Sequence, residues 1–140
     1  MLDANSHATF RWPVRVYYED TDAGGVVYYA NYLRFFERAR TEWLRHLGFD
    51  QGTLRHRDGL VFAVRRTSVD YLAPARFDDQ LSITLTPIRL GRASLVLRQE
   101  AVRDTDGLCC ARAEVQVAAV QEAGWRPSRI PDDLLQAIRP

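Results

Sequence analysis

The chain has 140 residues, enough for one domain with a buried core (residues 1–140), and a formal net charge of +1. That balance excludes the electrostatic footprint of a nucleic-acid binder or of a protein held to an anionic membrane. Hydrophobic residues make up 46% and charged ones 26%, as in a soluble globular protein, and no apolar run reaches the ~20 residues that cross a bilayer.

The N-terminal "MLDANSHATF" has neither a basic start nor an apolar centre, so it does not read as a signal peptide. "FRWPVRVYYE" (10–19) is β-branched and aromatic and predicts a first strand, with Pro13 near its start. Next comes "EDTDAGGVVYYAN" (19–31), three carboxylates in four positions followed by two glycines and a pair of tyrosines. From Tyr32 the apolar positions Tyr32, Phe35, Phe36, Ala39, Trp43 and Leu47 repeat at helical spacing. Arg34, Glu37, Arg38 and Arg45 occupy the other side, Arg38 and Glu42 stand at i,i+4, and Gly48 ends the helix.

The remainder reads almost entirely as β. Strands are expected over 59–72, stopped by Pro74, over "QLSITLTPI" with Leu81, Ile83 and Leu85 on one face, over 93–102 after a turn at 90–92, and over 109–120. "DTDG" (104–107) closes a hairpin between the last two, and "DDLLQAI" after Pro131 predicts a short final helix. One strand, one long helix and then four strands make an α+β layer arrangement. A single helix covers one sheet face and leaves the edges open, so a homodimer or homotetramer is expected.

Cys109 and Cys110 are adjacent, which rules out a framework of loop-closing disulfides and predicts reduced thiols in or beside a strand. A cytoplasmic location follows. His7, His46 and His56 lack ligand spacing, so no metal is expected.

The acidic loop admits several chemistries. Read as a calcium loop from Asp20, it places glycine at position 6 but Asn31 where a bidentate Glu is required. An aspartate-nucleophile phosphohydrolase requires a lysine, and all 19 basic residues here are arginine; its parallel core also conflicts with consecutive strands. Glu19 and Asp20 are expected to be solvated or paired with arginines. Asp22 differs, because the glycines after it let backbone approach a bound group, and a helix start with free N–H groups follows soon after. A carboxylate beside oriented donors is the minimum equipment for acyl transfer.

Residues 14–49, "VRVYYEDTDAGGVVYYANYLRFFERARTEWLRHLGF", resemble the opening of the hotdog-fold acyl-CoA thioesterases. The resemblance is to the 4-hydroxybenzoyl-CoA thioesterase family, nearest the branch associated with the bacterial Tol–Pal system, and it continues through 61–81 and 111–120. It implies a hotdog fold, with the long helix wrapped by a curled antiparallel five-stranded sheet and sites at dimer interfaces. It further implies hydrolysis of short-chain or aromatic acyl-CoA, with acyl carrier protein as a second source of thioester and no cofactor. By position it makes Asp22 the catalytic carboxylate and the Tyr29 backbone N–H the group that polarises the carbonyl. Tyr29 stands where the Tol–Pal branch usually has histidine, a change that a backbone donor tolerates. Arg92 and Ser94, in the turn between two strands, fall near where the family holds the nucleotide; a solvated Arg92 is the alternative. Tyr17, Tyr18, Tyr28 and Tyr32 are candidates for an acyl pocket or for core. Two competing functions remain: a non-catalytic hotdog module binding acyl-carrier thioesters or partner proteins, and a hydratase, whose usual histidine is absent from the acidic loop.

Overall fold

A computed structural model describes residues 9–139. The readings of the N-terminal segment before Thr9, His7 included, lie outside the described residues. The strands are β1 (Phe10–Arg15), β2 (Leu60–Tyr71), β3 (Gln80–Leu90), β4 (Ser94–Arg103) and β5 (Cys109–Gln121), and the helices α1 (Asn31–His46), α2 (Gln51–Asp58) and α3 (Asp132–Ile138). All five strands join one antiparallel sheet in the order β1-β3-β4-β5-β2. Register shifts between Val64 and Arg66, Pro87 and Arg89, and Ala101 and Val102 supply the local bends by which such a sheet curls.

Helix α1 lies against the sheet's inner face. Tyr32, Phe35, Phe36, Ala39, Trp43 and Leu44 are buried there against Leu81, Ile83 and Leu85 of β3 and Leu97 of β4. Each fully buried aromatic or leucine in this layer contributes about 1.5–3 kcal/mol relative to exposure, and that burial fixes the helix. This is the hotdog arrangement expected, with α1 ended at Gly48 in the left-handed conformation (φ 94°) and α3 formed by "DDLLQAI" as read.

Two local expectations are corrected and one element is added. The first strand ends at Arg15 rather than running to Glu19, because the Asp20 side chain accepts the Tyr17 N–H and draws Tyr18–Asp20 into a 3-10 turn. Glu42 pairs with Arg45 (2.6 Å) and not with Arg38; in a solvated i,i+3 or i,i+4 pair either partner is available at nearly equal free energy. Helix α2 occupies a stretch to which the sequence reading assigned no element. It starts where the Asp50 carboxylate accepts from the Thr53 N–H (2.7 Å) and hydroxyl (2.8 Å), a side-chain cap that satisfies an otherwise orphaned donor.

Among the described residues, no helix is long and apolar enough to cross a membrane, and no three His, Cys, Asp or Glu side chains cluster as a metal site. The edges of the sheet are β1 and β2. The middle of β2, from Val64 to Ser68, is exposed, so one long edge presents unpaired backbone groups.

Candidate active site

Residues 20–28 fold into a small hairpin. The Tyr28 N–H donates to the Asp20 carbonyl (2.9 Å), the Asp22 N–H donates to the Val26 carbonyl (2.9 Å), and the Gly25 N–H donates to the Asp22 carbonyl (3.0 Å). Gly25 takes φ +79° at the turn, a conformation that costs an L side chain about 1–2 kcal/mol. Beyond the turn, the Val27 N–H donates to the Ala75 carbonyl (2.8 Å), tying the hairpin to the β2–β3 connection. Arg103 holds that connection from β4: its Nη1 donates to the Pro74 carbonyl (2.9 Å) while its guanidinium grips Asp106.

The two neighbouring aspartates play opposite parts. Asp20, expected to be solvated or paired with arginine, is instead 8% exposed. Its Oδ2 accepts the Tyr17 N–H and its Oδ1 accepts Nδ2 of the buried Asn31, each at 2.8 Å. Two fixed donors are sufficient to hold a carboxylate at that depth, and Asn31, the first residue of α1, locks the hairpin to the helix start. Asp22 is exposed at the hairpin, its Oδ1 accepting the Gly24 N–H (2.8 Å). A carboxylate with one local bond and one free oxygen is available to a ligand.

The entry into α1 is a turn closed by the Asn31 N–H donating to the Tyr28 carbonyl (2.8 Å). Tyr29 and Ala30 are its central residues, and Ala30 (φ −70°, ψ −19°) offers no side-chain cap. Among the described residues, no backbone or side-chain acceptor takes the Tyr29 N–H. Its side chain is 61% exposed and packs beside Tyr28 (ring centroids 4.9 Å) and, edge-on, Tyr71 at the end of β2 (6.0 Å).

The tyrosines divide. Tyr32 is core: burial pushes its phenol up to about 12, and its Oη accepts the Ala75 N–H (3.4 Å). Tyr17 and Tyr18 are exposed, Tyr18 stacked on Phe77 at 3.8 Å, and Tyr28 is half-exposed beside Tyr29. Arg92 and Ser94 lie in and just after the β3–β4 turn, where the Gly91 N–H donates to the Ser94 carbonyl (2.8 Å). The Asp22 hairpin packs near the opposite end of β3, a separation of up to about 33 Å along this 11-residue strand at ~3.3 Å per residue. One chain therefore brings Asp22 and Tyr29 into one loop system and leaves Arg92 and Ser94 apart from them. Asp20, Asn31 and Arg103 position the loop, a role the sequence reading did not give them; the only advance signal was an Asn at the helix start eleven residues after an Asp.

A profile of the Thioesterase superfamily matches residues 24–110 of the 140. The chain belongs to that family. Tyr29, Arg92 and Ser94 lie inside the matched span and Asp22 two residues before it. The acyl-CoA thioester hydrolase YbgC of Escherichia coli O6:H1 is 47% identical over 130 residues, 93% of this chain and 96% of the relative, so that alignment is long enough to include the hairpin. Among solved structures, a probable thioesterase from Bartonella henselae is similar at 36% identity with a TM-score of 0.82, covering 89% of this chain and all of that one. A 1,4-dihydroxy-2-naphthoyl-CoA thioesterase from Synechocystis has a TM-score of 0.86 at 24% identity, covering 94% and 96%, which shows the shared hotdog fold of this thioesterase-superfamily chain and nothing finer.

Proposed function

We propose that the protein hydrolyses acyl-CoA thioesters to the free acid and CoA, with Asp22 as the catalytic carboxylate and the Tyr29 N–H as the donor to the thioester oxygen. The observation that carries the reading is the pairing of a carboxylate having one uncommitted oxygen with an unclaimed N–H one residue before the cap of α1, in a chain of this family. Charge developing on the carbonyl oxygen meets the Tyr29 N–H and the positive end of the helix dipole. Asp22 either adds to the carbonyl carbon, expelling the CoA thiolate and leaving a mixed anhydride that water opens, or takes a proton from the attacking water. Single-turnover hydrolysis in labelled water separates the routes, because only the first deposits label on Asp22.

In the single chain the hairpin is open to solvent. A second copy added at the exposed β2 edge closes it: an antiparallel two-fold at the strand's centre lays the Tyr71 end of one β2, with Tyr29 beside it, against the Leu60–Phe62 end of the other. The proposed substrates are thioesters of short-chain or aromatic acyl groups, carried on CoA or on an acyl carrier protein. In such an assembly Arg92 or Ser94 of a neighbouring copy, rather than of the same chain, would meet the nucleotide. The adjacent free thiols Cys109 and Cys110 support a reducing, cytoplasmic setting.

Tyr29→Pro tests the donor. Tyr29 is the second residue of its turn, where proline is favoured, so the change removes the N–H while keeping the turn, and Tyr29→Ala, which loses the ring but keeps the N–H, is its control. A loss of about 10²–10³ in kcat is expected, with Tyr29→Phe retaining wild-type turnover within a few-fold; thiol release from a panel of acyl-CoAs measures both. Wild-type turnover in the proline variant would remove Tyr29 from the mechanism.

A further inference from the structure

Between α1 and the β2 end of the sheet lies a cavity of about 370 Å³, walled on its apolar side by Trp43, Phe62, Leu97 and Val117, with Glu37 and Gln51 also lining it. That volume is ample for a small acyl group. One cation reaches into these apolar walls. Arg40 stands on α1 within the apolar stripe, four residues after Phe36 and three before Trp43, and no carboxylate pairs with it among the described ion pairs.

What holds Arg40 is neutral. Its Nη1 donates to Oε1 of Gln99 (2.9 Å), and Gln99, fully buried on β4, donates through Nε2 to the Phe36 carbonyl (3.0 Å). Gln99 is therefore fixed with its oxygen toward the guanidinium, a buried amide whose role is to orient a charge. A guanidinium has five N–H donors and stays charged; one is used here. Glu37, on the rim, is the nearest carboxylate, but its Oε2 accepts from the Thr41 hydroxyl (2.5 Å) along the exposed side of the helix. Burial pushes the Arg40 guanidinium down from its ordinary value, while the charge of Glu37 acts in the opposite direction and does not outweigh it.

The geometry points to Arg40 as the specificity determinant of an acyl subsite that takes a carboxylate-tipped acyl chain, the monothioester of a short dicarboxylic acid. The apolar walls take the methylene chain, and the planar fork pairs with the terminal carboxylate, a match a hydroxyl cannot make with both oxygens. The inference rests on the proposed function, since it is the two-fold at β2 that brings the Phe62 wall of this cavity next to the Tyr71 end of the partner's β2, where Tyr29 lies.

The test compares adipoyl-CoA with hexanoyl-CoA, chains of equal length differing at the tip. Wild type is expected to show a kcat/KM at least tenfold higher for adipoyl-CoA. Arg40→Met should abolish that preference, and Glu37→Gln, which removes the one rim anion from an exposed position, should widen it. Equal or reversed preference in wild type, a preference that survives Arg40→Met, or a stronger preference for a hydroxyl-tipped chain overturns the subsite. Hydrolysis of no acyl-CoA at all would instead defeat the proposed function, and calorimetric titration with adipate and hexanoate then decides the cavity by itself: adipate-selective binding lost in Arg40→Met sustains the assignment, and equal binding of the two acids by wild type ends it.

Discussion

Asp22→Asn should give a chain that folds like wild type and loses thioester hydrolysis by about 10²–10⁴-fold in kcat, the usual contribution of a positioned acid or base. The fold is spared because the Asp22 side chain is exposed and its one bond within the chain is accepted by Oδ1 from the Gly24 N–H. An asparagine Oδ1 accepts the same bond. What disappears is the charge and the free oxygen, so activity and stability separate cleanly. Thiol release gives the rate, and thermal unfolding followed by circular dichroism gives the stability. A variant with an unchanged midpoint and more than about a tenth of wild-type turnover would leave Asp22 without a catalytic role.

Asp20→Asn, the same substitution two residues earlier, should do the reverse to the fold. Both Asp20 oxygens accept from N–H groups, those of Tyr17 and Asn31, in a buried setting. Asparagine has one acceptor oxygen and must turn its NH₂ toward the other donor. A lost hydrogen bond to a charged group together with a buried unpaired donor costs about 1.5–3 kcal/mol, read as a lower urea midpoint with an unchanged slope. Turnover also falls, because Asp20 ties the Asp22 hairpin to the first residue of α1, but in proportion to the population in which that tie is broken. Stability equal to wild type would show that the hairpin is held by its backbone bonds to Ala75 and Val26 alone.

That contrast also marks how far the sequence could be read. Helix α1 and the four later strands were legible because burial writes a period into the chain: 3.6 residues from Tyr32 to Leu47, two residues through Leu81, Ile83 and Leu85. Helix α2 was not, since Leu54 is its only buried side chain and a helix without an apolar stripe leaves only its caps to be read. Asp20 and Asp22 are the same residue type in one loop, and what separates them is a contact with Asn31 across eleven residues that no period encodes. The far placement of Arg92 and Ser94 is of the same kind: chain order shows that they follow β3 and not which end of the sheet that turn occupies. Arg40 carried a signal that went unused, an arginine inside an otherwise apolar stripe. The resemblance to a family pointed to Asp22 and Tyr29, and the unclaimed Tyr29 N–H now gives that pointer a physical content.

The most direct measurement is a crystal structure of the protein with an acyl-CoA analogue in which a methylene replaces the thioester sulfur, leaving a ketone that cannot be cleaved. The ketone oxygen is expected about 2.9–3.0 Å from the Tyr29 nitrogen, with the free Asp22 oxygen facing the carbonyl carbon, either directly or through one water. A ketone seated elsewhere in the assembly, with Asp22 still facing bulk solvent, would contradict the account.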